Sequence, residues 1–173
     1  FVTGPAPVTQ AAPAEQFITA PGPLGPITVI GDSVLLGSLL YGPTLAEQLS
    51  ASGWGPVRMR AGEGYRTGYN GATPASMNVG NWITSWRSQG WDPVDVVVNL
   101  GANDSGFCFH DDVPCARAAI EHLLDVIGPG HRVWWPKITR FYTYADQQNT
   151  WNTALDQIAA ERDDVFTWDW PNE

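Results

Sequence analysis

The sequence predicts an α/β fold: a three-layer α/β/α sandwich with a parallel sheet of about five strands. Three observations predict it. Short apolar, β-branched runs such as Ile27–Ile30 and Val94–Leu100 suit strands buried on both faces. Stretches with helical period and capping residues lie between them. The two kinds alternate along the chain, as they do in crossover units that build parallel sheets.

The first 26 residues hold six of the 14 prolines and show no helical or strand period. They read as a Pro/Ala-rich linker or arm, with the short piece Glu15–Thr19 able to pack onto the body. The domain proper runs over 27–173, beginning with a buried strand, Pro26–Gly31. Thr44 and Glu47 have the spacing of a capping box, with Gly53 as the stop of that helix. Gly55–Gly62 is a second strand. A helix follows over 72–90, with Thr73 as cap, Pro74 in the first turn, and Val79, Ile83 and Trp86 on one face. Val94–Gly101 is the clearest buried strand. The helix over 114–128 turns Ala116, Ile120, Leu123, Leu124 and Ile127 to the core, and His131–Thr139 is a fourth strand. A long helix over 146–164 leads to a fifth strand, Asp164–Trp170.

At 173 residues, with 43% hydrophobic and 16% charged residues, the chain is one globular domain with a real core. A net charge of -9 and a single lysine, Lys137, argue against binding nucleic acid or an anionic membrane surface through charge. No apolar run approaches the roughly 20 residues of a membrane-spanning helix. The chain does not begin with Met, and reads as processed or trimmed. Cys108 and Cys115 flank His110, Asp111 and Asp112 without a recognised zinc spacing. A disulfide closing a short loop is the better reading and implies an oxidising compartment; two unpaired thiols are the alternative. Together with scarce lysine it points to a secreted or extracytoplasmic protein.

In parallel sheets, functional residues gather beyond the carboxyl ends of the strands. Here the informative polar residues do follow strands. The first strand ends in Gly31-Asp32-Ser33, the second in "RAGEGYRTG" with Gly62 and Gly64, and the third in "NLGANDSG" with Gly101, Asn103 and Asp104. A serine, glycine backbone and an asparagine amide are the parts for acyl transfer: a nucleophile and donors for the oxyanion that develops.

These blocks, in this order and over Ile27–Trp170, resemble the SGNH (GDSL-type) hydrolases, named for their Ser, Gly, Asn and His. "GDSVLLGS" further resembles the extracellular SGNH domains attached to membrane O-acyltransferases. The resemblance implies Ser33 as nucleophile, with its own N–H as one oxyanion donor. It implies Asn103 as a side-chain donor and Gly64 as a backbone donor; Gly62 is the competing match. Asp32 and Asp104 read as carboxylates that brace their turns. No metal or cofactor is implied.

The family's general base is a histidine three residues after an aspartate, following the last strand. No histidine here has an aspartate three positions before it. His122 falls off its helix's apolar stripe and should face solvent. His131 precedes a strand, so it should lie at the opposite sheet edge from Ser33. His110, in the loop after Asn103, is the one candidate substitute, though a loop or substrate-contacting residue is the favoured reading of it. Either the Asp-x-x-His block lies beyond Glu173, which is the favoured reading, or the protein lacks it. Without an activating imidazole, hydrolysis by this chain should be impaired.

Two functions follow. The first is a serine esterase or O-acyltransferase acting on O-acyl, above all O-acetyl, esters of a small molecule or a cell-wall or exopolysaccharide glycan. The nine tryptophans add little, since most, such as Trp134 and Trp135, should be core. The second is a non-catalytic module that binds a glycan or protein on the same scaffold.

Overall fold

In a computed structural model, which describes residues 14–40, 43–69, 71, 73–108, 112–140 and 142–169, the expected alternation becomes a six-stranded sheet. The strands are β1 (Ala14–Ile18), β2 (Gly25–Gly31), β3 (Trp54–Ala61), β4 (Asp95–Asn99), β5 (Arg132–Trp134) and β6 (Val165–Phe166). The helices are α1 (Ser33–Leu40), α2 (Leu45–Ala51), α3 (Val79–Ser88), α4 (Val113–Ile127) and α5 (Ala145–Glu161). The sheet order is β1-β3-β2-β4-β5-β6. From β3 to β6 every pairing is parallel.

β1 departs from the expectation. Part of the stretch read as an arm is an antiparallel edge strand, with Ala14 opposite Ala61 and Ile18 opposite Val57. The sheet is therefore mixed rather than wholly parallel. Glu15 fixes the pairing electrostatically, with one carboxylate oxygen 2.9 Å from Arg58 Nε and the other 2.9 Å from Arg60 Nη1.

The two-residue period of β2 sorts the core into two layers. Ile27 and Val29 pack with Leu35 and Leu36 of α1, Ala46 of α2, and Val57 and Met59 of β3. Ile30 faces the other way, into a larger cluster with Val96, Val98, α3, α4 and α5. This is the three-layer sandwich. Right-handed crossovers require it: the chain runs from β2 to β3 in one direction, then returns past β2 to β4, so the helices on the two legs fall on opposite faces.

The capping box is present: the Glu47 N–H donates to Thr44 Oγ1, and the Thr44 N–H donates to Glu47 Oε2 at 2.7 Å. The helix expected from Thr73 starts later. Ala75–Met77 is a 3-10 turn, and α3 begins at Val79 with Asn78 as its cap, accepting from the Gly80 N–H at 2.9 Å. Asn is as good a cap as Thr, and Arg66, which exchanges hydrogen bonds with Met77 and Val79, holds the preceding turn to the β3 exit. β5 is shorter than expected because Pro136 offers no N–H to a ladder. Beyond it, the Trp135 and Lys137 N–H groups still reach the carbonyls of Phe166 and Trp168. Trp135 is fully buried, while Trp134 is half-buried, stacked on Phe166 with centroids 4.6 Å apart.

Candidate active site

Gly31 ends β2 where nothing larger fits. A Cβ there would lie 2.7 Å from Leu35 Cβ and 2.8 Å from the Asn99 carbonyl oxygen. The chain turns at once into α1. Asp32 caps the helix: its carbonyl accepts from the Leu36 N–H, and its Oδ1 accepts from the Val34 N–H at 2.9 Å. The Ala102 N–H also lies near enough to lower the carboxyl's affinity for a proton, so the β4 exit faces the β2 exit here. Ser33 is the first residue of α1 and is exposed. A nucleophile there gains from the positive end of the helix dipole.

After β4, Gly101 (φ 126°) opens a tight loop closed by the Ser105 N–H bond to the Gly101 carbonyl at 2.8 Å. Its backbone lies against Trp151; a Cβ would fall 2.3 Å from Trp151 Nε1. Trp135 Nε1 donates to the Leu100 carbonyl at 3.0 Å and fixes the loop's root. Asn103 Nδ2 donates to the Tyr65 carbonyl at 3.2 Å, which ties the loop to the turn after β3. One amide N–H is thus held, and the other remains for a ligand.

That turn distinguishes the two glycines. The Gly62 N–H is spent on the Gly31 carbonyl at 3.3 Å, and the Gly62 carbonyl accepts from the Tyr65 N–H. Gly64 sits at the third position with φ 73°, a conformation that glycine adopts without strain. Its amide makes no hydrogen bond among the described residues.

Ser33, Val34, Ala102, Asn103, Thr139 and Arg140 line one open cleft of about 580 Å³, with Tyr144 at its rim. Its floor is where β2 and β4 lie side by side and the direction of winding reverses, the usual place for a ligand in such sheets. The structure thus brings Ser33 and Asn103 to one cleft. Gly64 belongs to the adjoining turn and not to the lining itself. The sequence reading missed Thr139, Arg140 and Tyr144. The available signal was their position: they follow β5, at the same edge.

Behind the cleft lie two buried carboxylates. Burial pushes Asp32 up from 3.8 to about 6, the Val34 N–H bond opposes this, the neighbouring Asp104 raises it further, and Arg140 lowers it. Burial likewise pushes Asp104 up to about 6, against two hydrogen bonds from Thr67, whose N–H and Oγ1 lie 3.0 and 2.8 Å from Oδ1. Asp104 Oδ2 is buried without a hydrogen-bond partner among the described residues.

The two described histidines, His122 and His131, do not line the cleft. His131 precedes β5 at the far edge of the sheet, with Nε2 3.1 Å from Asp92 Oδ1. His122 is half-buried on α4 rather than facing solvent, because Tyr69 packs beside it with ring centroids 6.2 Å apart. His110 lies outside the described residues. Cys108 and Cys115 form a disulfide, which clips the end of the β4 loop to the start of α4. Among the described residues, no cluster of His, Cys, Asp and Glu could hold a metal, and no helix is long and apolar enough to cross a membrane.

Solved structures share this architecture. The C-terminal catalytic domain of peptidoglycan O-acetyltransferase A (OatA) from Streptococcus pneumoniae, solved with a methylsulfonyl adduct, aligns with a TM-score of 0.57 at 15% identity, covering 88% of this chain and 70% of that one. The psychrotrophic esterase EstA from Pseudoalteromonas sp., inhibited by monoethylphosphonate, aligns with a TM-score of 0.50 at 14% identity, covering 83% and 76%. No protein-family model and no curated protein matches the sequence. The fold is SGNH-hydrolase-like.

Proposed function

Taking the SGNH-hydrolase-like fold as premise, we propose that this protein is a serine esterase or O-acyltransferase whose nucleophile is Ser33. The observation that carries the reading is the meeting of Ser33 and Asn103 in one cleft from neighbouring strand ends. Ser33 Oγ attacks the ester carbonyl, the alcohol leaves, and the acyl group stays on the serine. Water or an acceptor hydroxyl then takes it up. The oxyanion receives hydrogen bonds from the Ser33 N–H and Asn103 Nδ2, with the Gly64 N–H as the adjoining third donor. Gly64 is preferred over Gly62 because the Gly62 N–H is already committed to β2.

Asp32 does not act on substrate in this scheme. Its carboxylate accepts from the Val34 N–H and sets the angle at which α1 presents Ser33. Proton removal from Ser33 falls to a base outside the described residues. The substrates are O-acyl esters, above all O-acetyl esters of a glycan such as a cell-wall or exopolysaccharide component. The OatA likeness and the disulfide favour an extracytoplasmic setting.

The test is active-site labelling read by intact mass and peptide mapping. A phosphonylating or sulfonylating reagent should add once, at Ser33, and Ser33→Ala should abolish the adduct. Free imidazole should raise acetyl-ester hydrolysis by the wild type but not by Ser33→Ala, by supplying a proton acceptor for the serine. An adduct elsewhere, or equal activity in Ser33→Ala, would leave the second reading, a binding module on the same scaffold.

A further inference from the structure

The chain carries 18 acidic residues and nine Lys and Arg. Seven of those nine cations are ion-paired with carboxylates. Arg66 and Arg140 are not, among the described residues. Arg66 is answered nonetheless: it lies near enough to Asp104 to lower that group's affinity for a proton, and its guanidinium covers the Phe107 ring at 4.0 Å.

Arg140 is held differently. Its main-chain N–H donates to Gln148 Oε1 at 2.7 Å, and its Nη1 donates to Ser105 Oγ at 2.9 Å and to Gln147 Oε1. The guanidinium lies over the Tyr144 ring, 4.4 Å from its centroid. Every one of these partners is neutral. They fix the position of the charge without compensating it, and Nε and Nη2 have no hydrogen-bond partner among the described residues. The side chain lines the same cleft as Ser33 and Asn103. The one carboxylate known to feel it, Asp32, is buried and already bound by the Val34 N–H. A fork of free N–H donors on a pre-positioned guanidinium matches a carboxylate or a phosphate.

We propose that Arg140 forms an anion subsite beside Ser33, so that the preferred substrates are O-acyl esters of molecules carrying a carboxylate or phosphate group, such as acidic sugars. This rests on the esterase reading above. It makes Arg140 a specificity residue for the ester's alcohol portion, complementary to a chain that otherwise repels anions.

The experiment compares matched aryl acetates: 4-acetoxybenzoate and 4-acetoxyphenyl phosphate against neutral methyl 4-acetoxybenzoate, with added imidazole. The wild type should favour the anionic esters, chiefly through KM. Arg140→Gln should lower kcat/KM on them about tenfold more than on the methyl ester, as expected for one charge-assisted contact. Arg140→Lys should restore part of the difference, and salt should erode it. The better of the two anionic esters identifies the natural group as carboxylate or phosphate. Equal losses on charged and neutral esters would overturn the subsite and assign Arg140 to loop structure. If the wild type hydrolyses none of the three, the esterase reading fails, and the subsite is then decided by calorimetric binding of 4-hydroxybenzoate and phenyl phosphate. Binding kept in Ser33→Ala and weakened at least about tenfold in Arg140→Gln supports it; binding indifferent to Arg140→Gln overturns it.

Discussion

Replacing Asp104 by Asn should make the protein more stable at neutral pH, although it removes a carboxylate that accepts two hydrogen bonds. Both Thr67 bonds go to Oδ1, which an asparagine retains, while Oδ2 has no partner among the described residues to lose. What disappears is the cost of holding a buried charge. Asp104 is raised from 3.8 to about 6 in the fold. Below pH 3.8 both the folded and the unfolded chain carry the proton. Between 3.8 and about 6 the unfolded chain releases it and the folded one does not, so stability falls as pH rises; above about 6 the loss is complete. At about 1.4 kcal/mol per pH unit the gap amounts to about 3 kcal/mol. Removing the Asp104 charge also eases ionisation of Asp32, which adds in the same direction. The assay is urea unfolding of both proteins from pH 3.5 to 7.5. The stability difference, Asp104→Asn minus wild type, should grow by about 3 kcal/mol over that range, equivalent to roughly 6–12 °C in Tm for a chain of this size. A flat difference curve, or one that falls with pH, would refute the reasoning.

Two further outcomes follow from the geometry of the β4 exit. Asn103→Ala should lower turnover of any acetyl ester by roughly two to three orders of magnitude. Its urea midpoint should shift little, since the one bond lost, to the Tyr65 carbonyl, is long at 3.2 Å; a large midpoint shift would make Asn103 a structural residue. Gly101→Ala should be severely destabilising, because it combines a positive φ of 126° with a Cβ 2.3 Å from Trp151. A variant that folds with an unchanged melting temperature would show that the loop and α5 can move apart.

Most of the parallel sheet was legible because its strands are buried on both faces and so read as continuous apolar runs. β1 was not, since Ala14–Ile18 is an edge strand of alternating exposure set among prolines, and its pairing is decided by Arg58 and Arg60, more than 40 residues away. That Ser33 and Asn103 meet at one sheet edge was legible because strand ends are marked by abrupt changes from apolar to polar residues. The sequence favoured Gly64 over Gly62 without a physical ground for it; that ground, which N–H is already committed to β2, is visible only in the fold. Arg140 was missed for a related reason. A lone arginine after a short strand carries no motif; only the lack of an ion pair, together with its neutral partners and its place in the Ser33 cleft, sets it apart.

β1 has a consequence for anyone who would express this domain from the boundary the sequence suggests. Starting the chain at Ile27 would strip away the ribbon that closes one side of the sheet. β3 would then present open N–H and C=O groups along residues 57–61, flanked by Arg58 and Arg60 without their counter-charge. Bare strand edges recruit other strands, so such a truncation invites self-association and inclusion bodies. The short segment before the first core strand thus serves as a guard rail: by occupying the β3 edge it keeps the molecule from pairing with its own copies.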